Sequence, residues 1–246
     1  TDPLRIVGMP ELWPGEDPEF PLGTDSLGRD ILSMIVHGAR ATLLIGLFAS
    51  AVATIIGVGV GAAAGYFGGW VDLLIQRIIE VISSMPTIPL WLGLAAAIPL
   101  TWSPLQVYFI VTLIVSLLAW TGLAREVRGR FFALKGDDFV TAARLDGSTE
   151  RRVIFRHILP SLTSHILAVV TLAIPTMIVA ETALSFLGIG LQAPAVSWGI
   201  DISAALVGLR TTPHMLFFPS LFLSLAVLGF ILLGDAVRDA LDPKNR

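Results

Sequence analysis

Apolar stretches longer than ordinary core helices alternate with short polar ones along this chain. From Ala41 to Val71 no charged residue appears. A bilayer core takes roughly 20 helical residues to cross, so this run predicts one span ending near Gly65 to Trp70. The next charge-free run, Val81 to Ala124, is too long for a single crossing. Pro99, Trp102, Ser103 and Pro104 interrupt it, and proline removes a backbone donor and keeps the residue before it out of the helix. Two spans are therefore expected there. Ser161 to about Leu187 predicts a fourth and Pro213 to Gly234 a fifth. Backbone groups in lipid must find partners within their own segment, which makes all five helical. The expected fold class is all-α: a polytopic transmembrane helical bundle.

Composition agrees. Hydrophobic residues make up 54% of the 246 and charged ones 14%, with a mean hydropathy of +0.80, outside the range of soluble domains. The absence of cysteine removes disulfides, thiolate metal sites and cysteine nucleophiles. A formal net charge of −3 conceals an uneven distribution and gives no sign of a nucleic-acid partner. Eight of the 16 basic residues lie in one polar island: Arg125, Arg128, Arg130, Lys135, Arg144, Arg151, Arg152 and Arg156. Lys and Arg concentrate in loops that stay cytoplasmic, so the island, 125–160, is placed inside. Alternation then puts the 65–77 turn and the 235–246 tail inside. Residues 1–40, the 99–105 turn and the 187–213 segment fall outside. Arg77, Arg238, Lys244 and Arg246 join the island, giving 12 of 16 basic residues on the cytoplasmic side. The membrane domain proper is 41–234. Because residues 1–40 begin outside without a targeting pattern, a further span upstream of Thr1 is expected, making six in the intact protein.

Within the island, 137–147 predicts a short helix: Asp137 and Asp138 stand at its start and Gly147 where it would stop. Val153, Ile154, Phe155, Ile158 and Leu159 form an apolar stripe opposite Arg151, Arg152 and Arg156, until Pro160 opens the next span. Such a segment can lie on a lipid surface. It can equally be a docking knob, with Ala142 and Ala143 allowing close approach and Gly147 a sharp turn. In the outer segment Asp30 can cap a short amphipathic helix through Ile31, Leu32, Met34 and Ile35, and Asp25 can pair with Arg29. Arg77 and Glu80 are spaced for a local ion pair. Glu181 lies late in its span, either a pathway residue or a hydrated or capped acid near the outer interface. Pro86 and Pro89 should bend their helix, for gating or for packing. Gly57, Gly61 and Gly65 have the spacing of close helix contacts. The four histidines do not cluster at metal-ligand spacing, and no HExxH, phosphate-binding loop or nucleophile elbow occurs.

Thr141-Ala-Ala-Arg-Leu-Asp-Gly147 followed by Arg156-His-Ile-Leu-Pro160 resembles the cytoplasmic "EAA" loop of ABC-importer permeases. Leu22-Gly-Thr-Asp-Ser-Leu-Gly-Arg-Asp30, Gly38-Ala-Arg40, Ala64-Gly-Tyr-Phe-Gly-Gly69, Glu181-Thr-Ala-Leu-Ser-Phe-Leu-Gly188, Ser197-Trp-Gly199 and Leu233–Pro243 resemble the dipeptide/oligopeptide/nickel branch. The resemblance implies a permease subunit with six helices and a cytoplasmic coupling helix formed by Thr141, Ala142, Ala143, Arg144, Leu145, Asp146 and Gly147, with Leu159 and Pro160 at its base. It implies a homologous sister permease, two ATPase subunits or domains carrying the ATP and magnesium, and an extracytoplasmic solute-binding protein; Asp25, Arg29 and Asp30 could contact either the binding protein or the sister permease. The chain itself would bind no cofactor. Two positions depart from the pattern: Thr141 replaces the loop's glutamate, and Ile231 replaces an asparagine before Leu233-Gly-Asp235. Expected substrates are peptides first, then oligosaccharides, opine-like conjugates and nickel complexes. An ATPase-independent carrier or channel is the alternative, against which stands the lack of buried ionisable relays.

Overall fold

A computed structural model describes residues 2–99 and 101–241. The tail residues Lys244 and Arg246 and the Pro243 end of the last motif lie outside them. Residues 2–30 run as turns, with two isolated bridges, Ile6 to Arg29 and Thr24 to Asp30. Helices follow: α1 (Ile31–Phe67), α2 (Gly69–Ser84), α3 (Thr87–Ala96), α4 (Pro104–Leu134), α5 (Asp138–Leu145), α6 (Glu150–Arg152), π-helical turns Val153–Ile158, α7 (Leu159–Ser161), α8 (Thr163–Phe186), α9 (Trp198–Ala205) and α10 (His214–Leu241). Among the described residues α1, α4, α8 and α10 are each long and apolar enough to cross a membrane, and α2 with α3 makes a fifth crossing if counted as one broken span. The all-α polytopic architecture holds.

Several boundaries move. The short amphipathic helix expected after Asp30 is the first turns of α1, which runs unbroken for 37 residues. Asp30 does cap it: Oδ1 accepts from the Leu32 N–H at 3.2 Å and Oδ2 from the Ser33 N–H at 3.1 Å. The 65–77 turn shrinks to Gly68, whose φ of 64° lets the chain reverse into α2. Charge does not end α4 at Ala124. Arg, Glu and Leu are good helix formers, and the helix continues to Leu134, taking the first ten residues of the island with it.

The second predicted span is not one helix. Met85 is extended, with ψ of 134°, as the residue before a proline prefers. Around it α2 and α3 bend by 89°. Pro86 makes the break. Pro89 lies in the first turn of α3, where no backbone donor is needed, and does not bend it.

The chain packs as two compact units. The first comprises residues up to Ala49, Trp91–Val115 and Ile174–Phe230; the second comprises Ser50–Leu90, Ser116–Ala173 and Ile231 onward. In the first, Ile31, Ile35, Trp198, Ala205 and Met215 form a core joining α1, α9 and α10. In the second, Ala62, Tyr66, Val127, Phe131, Val140, Ala143, Val153, Ile158 and Leu162 form the larger core, and Ala53, Ile79, Trp120 and Ala124 a smaller one. Arg128 of α4 grips Asp72 of α2 with a two-pronged ion pair, Nη2 to Oδ2 at 2.6 Å, the planar geometry for which arginine is suited.

Candidate functional site: a helical elbow and two buried carboxyls

In the second unit, α5 and the 150–161 segment form an elbow. Gly147 at φ 76° ends α5, and paired bonds from Gly147 N to Arg144 O at 3.0 Å and Ser148 N to Ala143 O at 3.1 Å close its last carbonyls. Val140 and Ala143 face the core and are buried, while Thr141, Ala142, Arg144, Leu145, Asp146 and Gly147 are exposed. Only Ala142 of the two alanines can therefore offer close approach; Ala143 is spent on internal packing. Leu145 stands 86% exposed and Phe155 67% exposed. Phe155 thus departs from the expected apolar stripe, of which Val153 and Ile158 are buried and Ile154 and Leu159 pack against the core. The stripe assumed ordinary helical spacing, but Val153–Ile158 is π-helical, which rotates later side chains to new positions. Pro160, exposed and without an N–H, follows one residue later in α7, and a widened turn accommodates the missing donor.

Tyr66 of α1 anchors the elbow. Its buried ring lies 5.6 Å from Lys135 Nζ and 5.4 Å from the Arg144 guanidinium carbon, distances at which a cation is attracted to a ring face. Arg77 and Glu80 pair at 2.7 Å on the surface of α2, where such a pair contributes little. Beside the Pro86 break is a cavity of about 200 Å³ lined by Ile82, Ser83, Met85, Thr87, Leu90, Leu118 and Thr121.

The first unit holds the remaining predicted residues. Asp25 is fully engaged: Oδ1 accepts from the N–H of Leu27 at 3.0 Å and of Arg29 at 2.8 Å, and Oδ2 meets Arg29 Nη2 at 2.6 Å. Glu181 is not a hydrated acid. It is completely buried in α8; Oε1 accepts from Ser185 Oγ at 2.7 Å, and the hydroxyls of Thr42, Ser197 and Thr182 stand around the carboxyl. Oε2 accepts no well-formed hydrogen bond from any of them.

Sequence reasoning missed Asp201. It is 6% exposed, and neither carboxyl oxygen has a protein partner. Burial pushes its carboxyl up from 3.8 to about 7, against the pull of Arg29 and with the push of Asp25. The one signal was its being the sole acid between Gly188 and Pro213. Asp201 sits on α9, which a three-residue motif fixes in place. Ser197 Oγ caps the helix by accepting from Ile200 N at 3.4 Å, Trp198 Nε1 donates to Ile35 O of α1 at 3.0 Å, and a β-carbon at Gly199 would lie 2.5 Å from Thr182 O of α8.

Long apolar helices around few charges, with a polar elbow between two of them, define a polytopic membrane protein. Comparison with known proteins gives the particular class. The chain belongs to the binding-protein-dependent transport system inner membrane components, the permease subunits of ABC importers, whose family profile matches residues 55–246. It is 38% identical to the oligopeptide transport system permease protein OppC of Haemophilus influenzae, over 91% of this chain and 70% of that protein. It is 39% identical to the dipeptide transport system permease protein DppC of Alkalihalophilus pseudofirmus, over 94% and 74% respectively. The glutathione transport system permease protein GsiD of Escherichia coli is 41% identical, over 90% and 71%. Among solved structures, the inward-facing MetNI methionine ABC transporter matches with a TM-score of 0.65 at 16% identity, covering 86% of this chain and 97% of that one. An amino acid ABC transporter gives 0.61 at 16% identity, covering 85% and 94%. At that identity the likeness is one of fold.

Proposed function

We propose that this permease carries short peptides inward, with the elbow as the point where cytoplasmic ATPase subunits drive it. The single observation that carries the reading is the exposed tip of α5. Leu145, and separately Phe139 and Phe155 of the same island, project apolar surface out of the most basic part of the chain. A largely exposed leucine on a helix fixed from behind by Val140, Ala143 and Tyr66 suits insertion into a groove on a partner. The positive-inside distribution supports a cytoplasmic tip and, in the same frame, a cytoplasmic C-terminal tail. Thr141, in place of a glutamate, leaves apolar fit rather than a salt bridge to hold the contact. A sister permease would complete the translocation path and a solute-binding protein would deliver the solute outside. The ATPases would hold ATP and magnesium. Short peptides follow from relatives named for oligopeptides, dipeptides and glutathione.

Uptake follows from two states of the elbow. The ATPases can shift the permease only if they bind its two states with different affinity, so their closure must displace α5. The core behind it transmits the displacement, since packed interiors resist compression. Replacing Leu145 with aspartate should abolish co-purification of the ATPase subunits while the chain still inserts. Gly147→Val, a β-branched residue forced to φ 76°, should lower peptide uptake by an order of magnitude or more at normal membrane abundance. Full ATPase binding by the first variant with full transport by the second would remove the coupling role.

A further inference from the structure

Three faces run along α2. Ile75, Ile79 and Ile82 pack into the core with Ala53, Trp120 and Ala124. Leu74, Ile78 and Val81 make an exposed apolar face, suited to lipid. Arg77, Glu80 and Ser84 recur at the same helical spacing and are exposed as well; the ion pair that joins the first two leaves their side chains 71% and 61% exposed. Ser83, exposed beside them, carries this polar face up to the break at Met85.

Backbone acceptors at the break are left open. Pro86 and Pro89 have no N–H to give, and among the described residues no backbone donor reaches the carbonyls of Ser83, Ser84 or Met85. All three residues are exposed, as is Thr87 beyond them. The break also lies at membrane depth. Met85 follows Glu80, the last charge of α2, and shares a cavity with Leu118 and Thr121, which precede Arg125, the first charge of α4. At 1.5 Å per helical residue these separations put the break about 6–10 Å inside the charge-free layer. Unpaired carbonyls at such depth are tolerated only where protein buries them or water reaches them. The ion pair on the same face argues against burial by protein, because the cores of protein interfaces are depleted of charge.

We propose that the polar face of α2 and the break after it form a wall of the water-filled translocation path, along which a short peptide passes with its N–H groups donating to the carbonyls of Ser83, Ser84 and Met85. The inference rests on the peptide-import reading and deepens it. The hydroxyls of Ser83 and Thr87 can donate to the peptide's own carbonyls, whereas that of Ser84 is turned back onto Val81 O at 2.8 Å. Arg77 and Glu80 neutralise each other, so the wall repels neither end of a zwitterion. Uncharged acceptors hold a solute weakly, and a path must release what it admits.

The chain has no cysteine, so single cysteines test the wall in the assembled permease complex in lipid nanodiscs. Labelling by the membrane-impermeant reagent 2-(trimethylammonium)ethyl methanethiosulfonate is read by mass on this chain. Ser84→Cys and Thr87→Cys should label about ten-fold or more faster than Ile78→Cys and Val81→Cys, since the thiolate that reacts forms in water and not in lipid. In proteoliposomes supplied with the binding protein and ATP, labelling should remove most of the trialanine uptake of Ser84→Cys and none of that of Val81→Cys. Equally slow labelling at all four positions would overturn the proposal and assign the break to a contact with the sister permease. Fast labelling of Ser84→Cys that leaves its uptake intact would overturn it too, as a crevice off the path. A wild type that takes up no trialanine would sink the peptide reading instead, while the labelling rates still decide whether water reaches the wall.

Discussion

The tightest interface in the second unit gives the most quantitative prediction. Gly57, Gly61 and Gly65 recur one turn apart on α1 and lie against α4. A β-carbon at Gly61 would sit 2.5 Å from Ala124 O and 3.0 Å from Val127 Cβ; at Gly65, 2.5 Å from Arg128 O and 2.7 Å from Phe131 Cβ. These are backbone atoms and branch points that cannot swing aside. Gly61→Ala must therefore push the two helices apart by the better part of an ångström. A gap of about 0.5–1 Å forfeits a quarter to a half of the dispersion energy across the facing atoms, and overpacking of this kind costs about 1–3 kcal/mol. For a chain of this size each kcal/mol moves the midpoint by about 2–4 °C, so Gly61→Ala should unfold roughly 2–12 °C lower in a thermal scan of the purified permease. Gly59 is the control on the same helix: a β-carbon there meets nothing within 4 Å. Gly59→Ala should leave the midpoint unchanged or raise it slightly, since alanine is favoured over glycine in a helix by up to about 1 kcal/mol. Equal midpoints for the two variants would refute the argument that backbone approach, rather than glycine content, holds α1 to α4.

Asp72→Ala should destabilise the permease by about 1–3 kcal/mol by stranding the Arg128 guanidinium, with the loss read as a lower unfolding midpoint; Arg128→Lys should not recover it, because a point charge cannot reproduce the fork. Asp201 gives a pH dependence. Its folded carboxyl sits near 7 against 3.8, so the folded state holds a proton that the unfolded chain releases, and stability falls as pH rises from about 4 to 7. The loss, complete above 7, is on the order of 4 kcal/mol from about 1.4 kcal/mol per pH interval. Asp201→Asn should therefore unfold at higher temperature than the wild type at alkaline pH and at nearly the same temperature near pH 4; a constant offset across the range would contradict it.

What the sequence made legible was local. Span number followed from run length, the cap at Asp30 from one residue type at one position, and the α2/α3 break from Pro86. Less legible was anything set by packing. An eight-residue helix is too short for periodicity to fix its inward face, so Ala142 and Ala143 read alike although one is exposed and the other is core. The π-helical turns before Pro160 shifted the stripe that ordinary spacing would draw, leaving Phe155 outside. Asp201 drew no notice in the sequence because most of the residues that line the small cavity beside it come from α1, α10 and the outer segment, outside its own helix.

The Ser197-Trp-Gly199 motif connects the two levels. As sequence it marked only a resemblance. As structure each residue ties α9 differently: the serine hydroxyl caps it, the tryptophan indole bonds it to α1, and the glycine lets it lie against α8. Trp198 also donates its backbone N–H to Thr42 Oγ1 at 3.3 Å, and Thr42 and Ser197 are among the hydroxyls around Glu181. The same motif therefore supplies polar groups around one buried carboxyl and fixes the helix that carries the other. These residues hold position for the acids, which is why Glu181 stood out from sequence as a candidate while the side chains that place it did not.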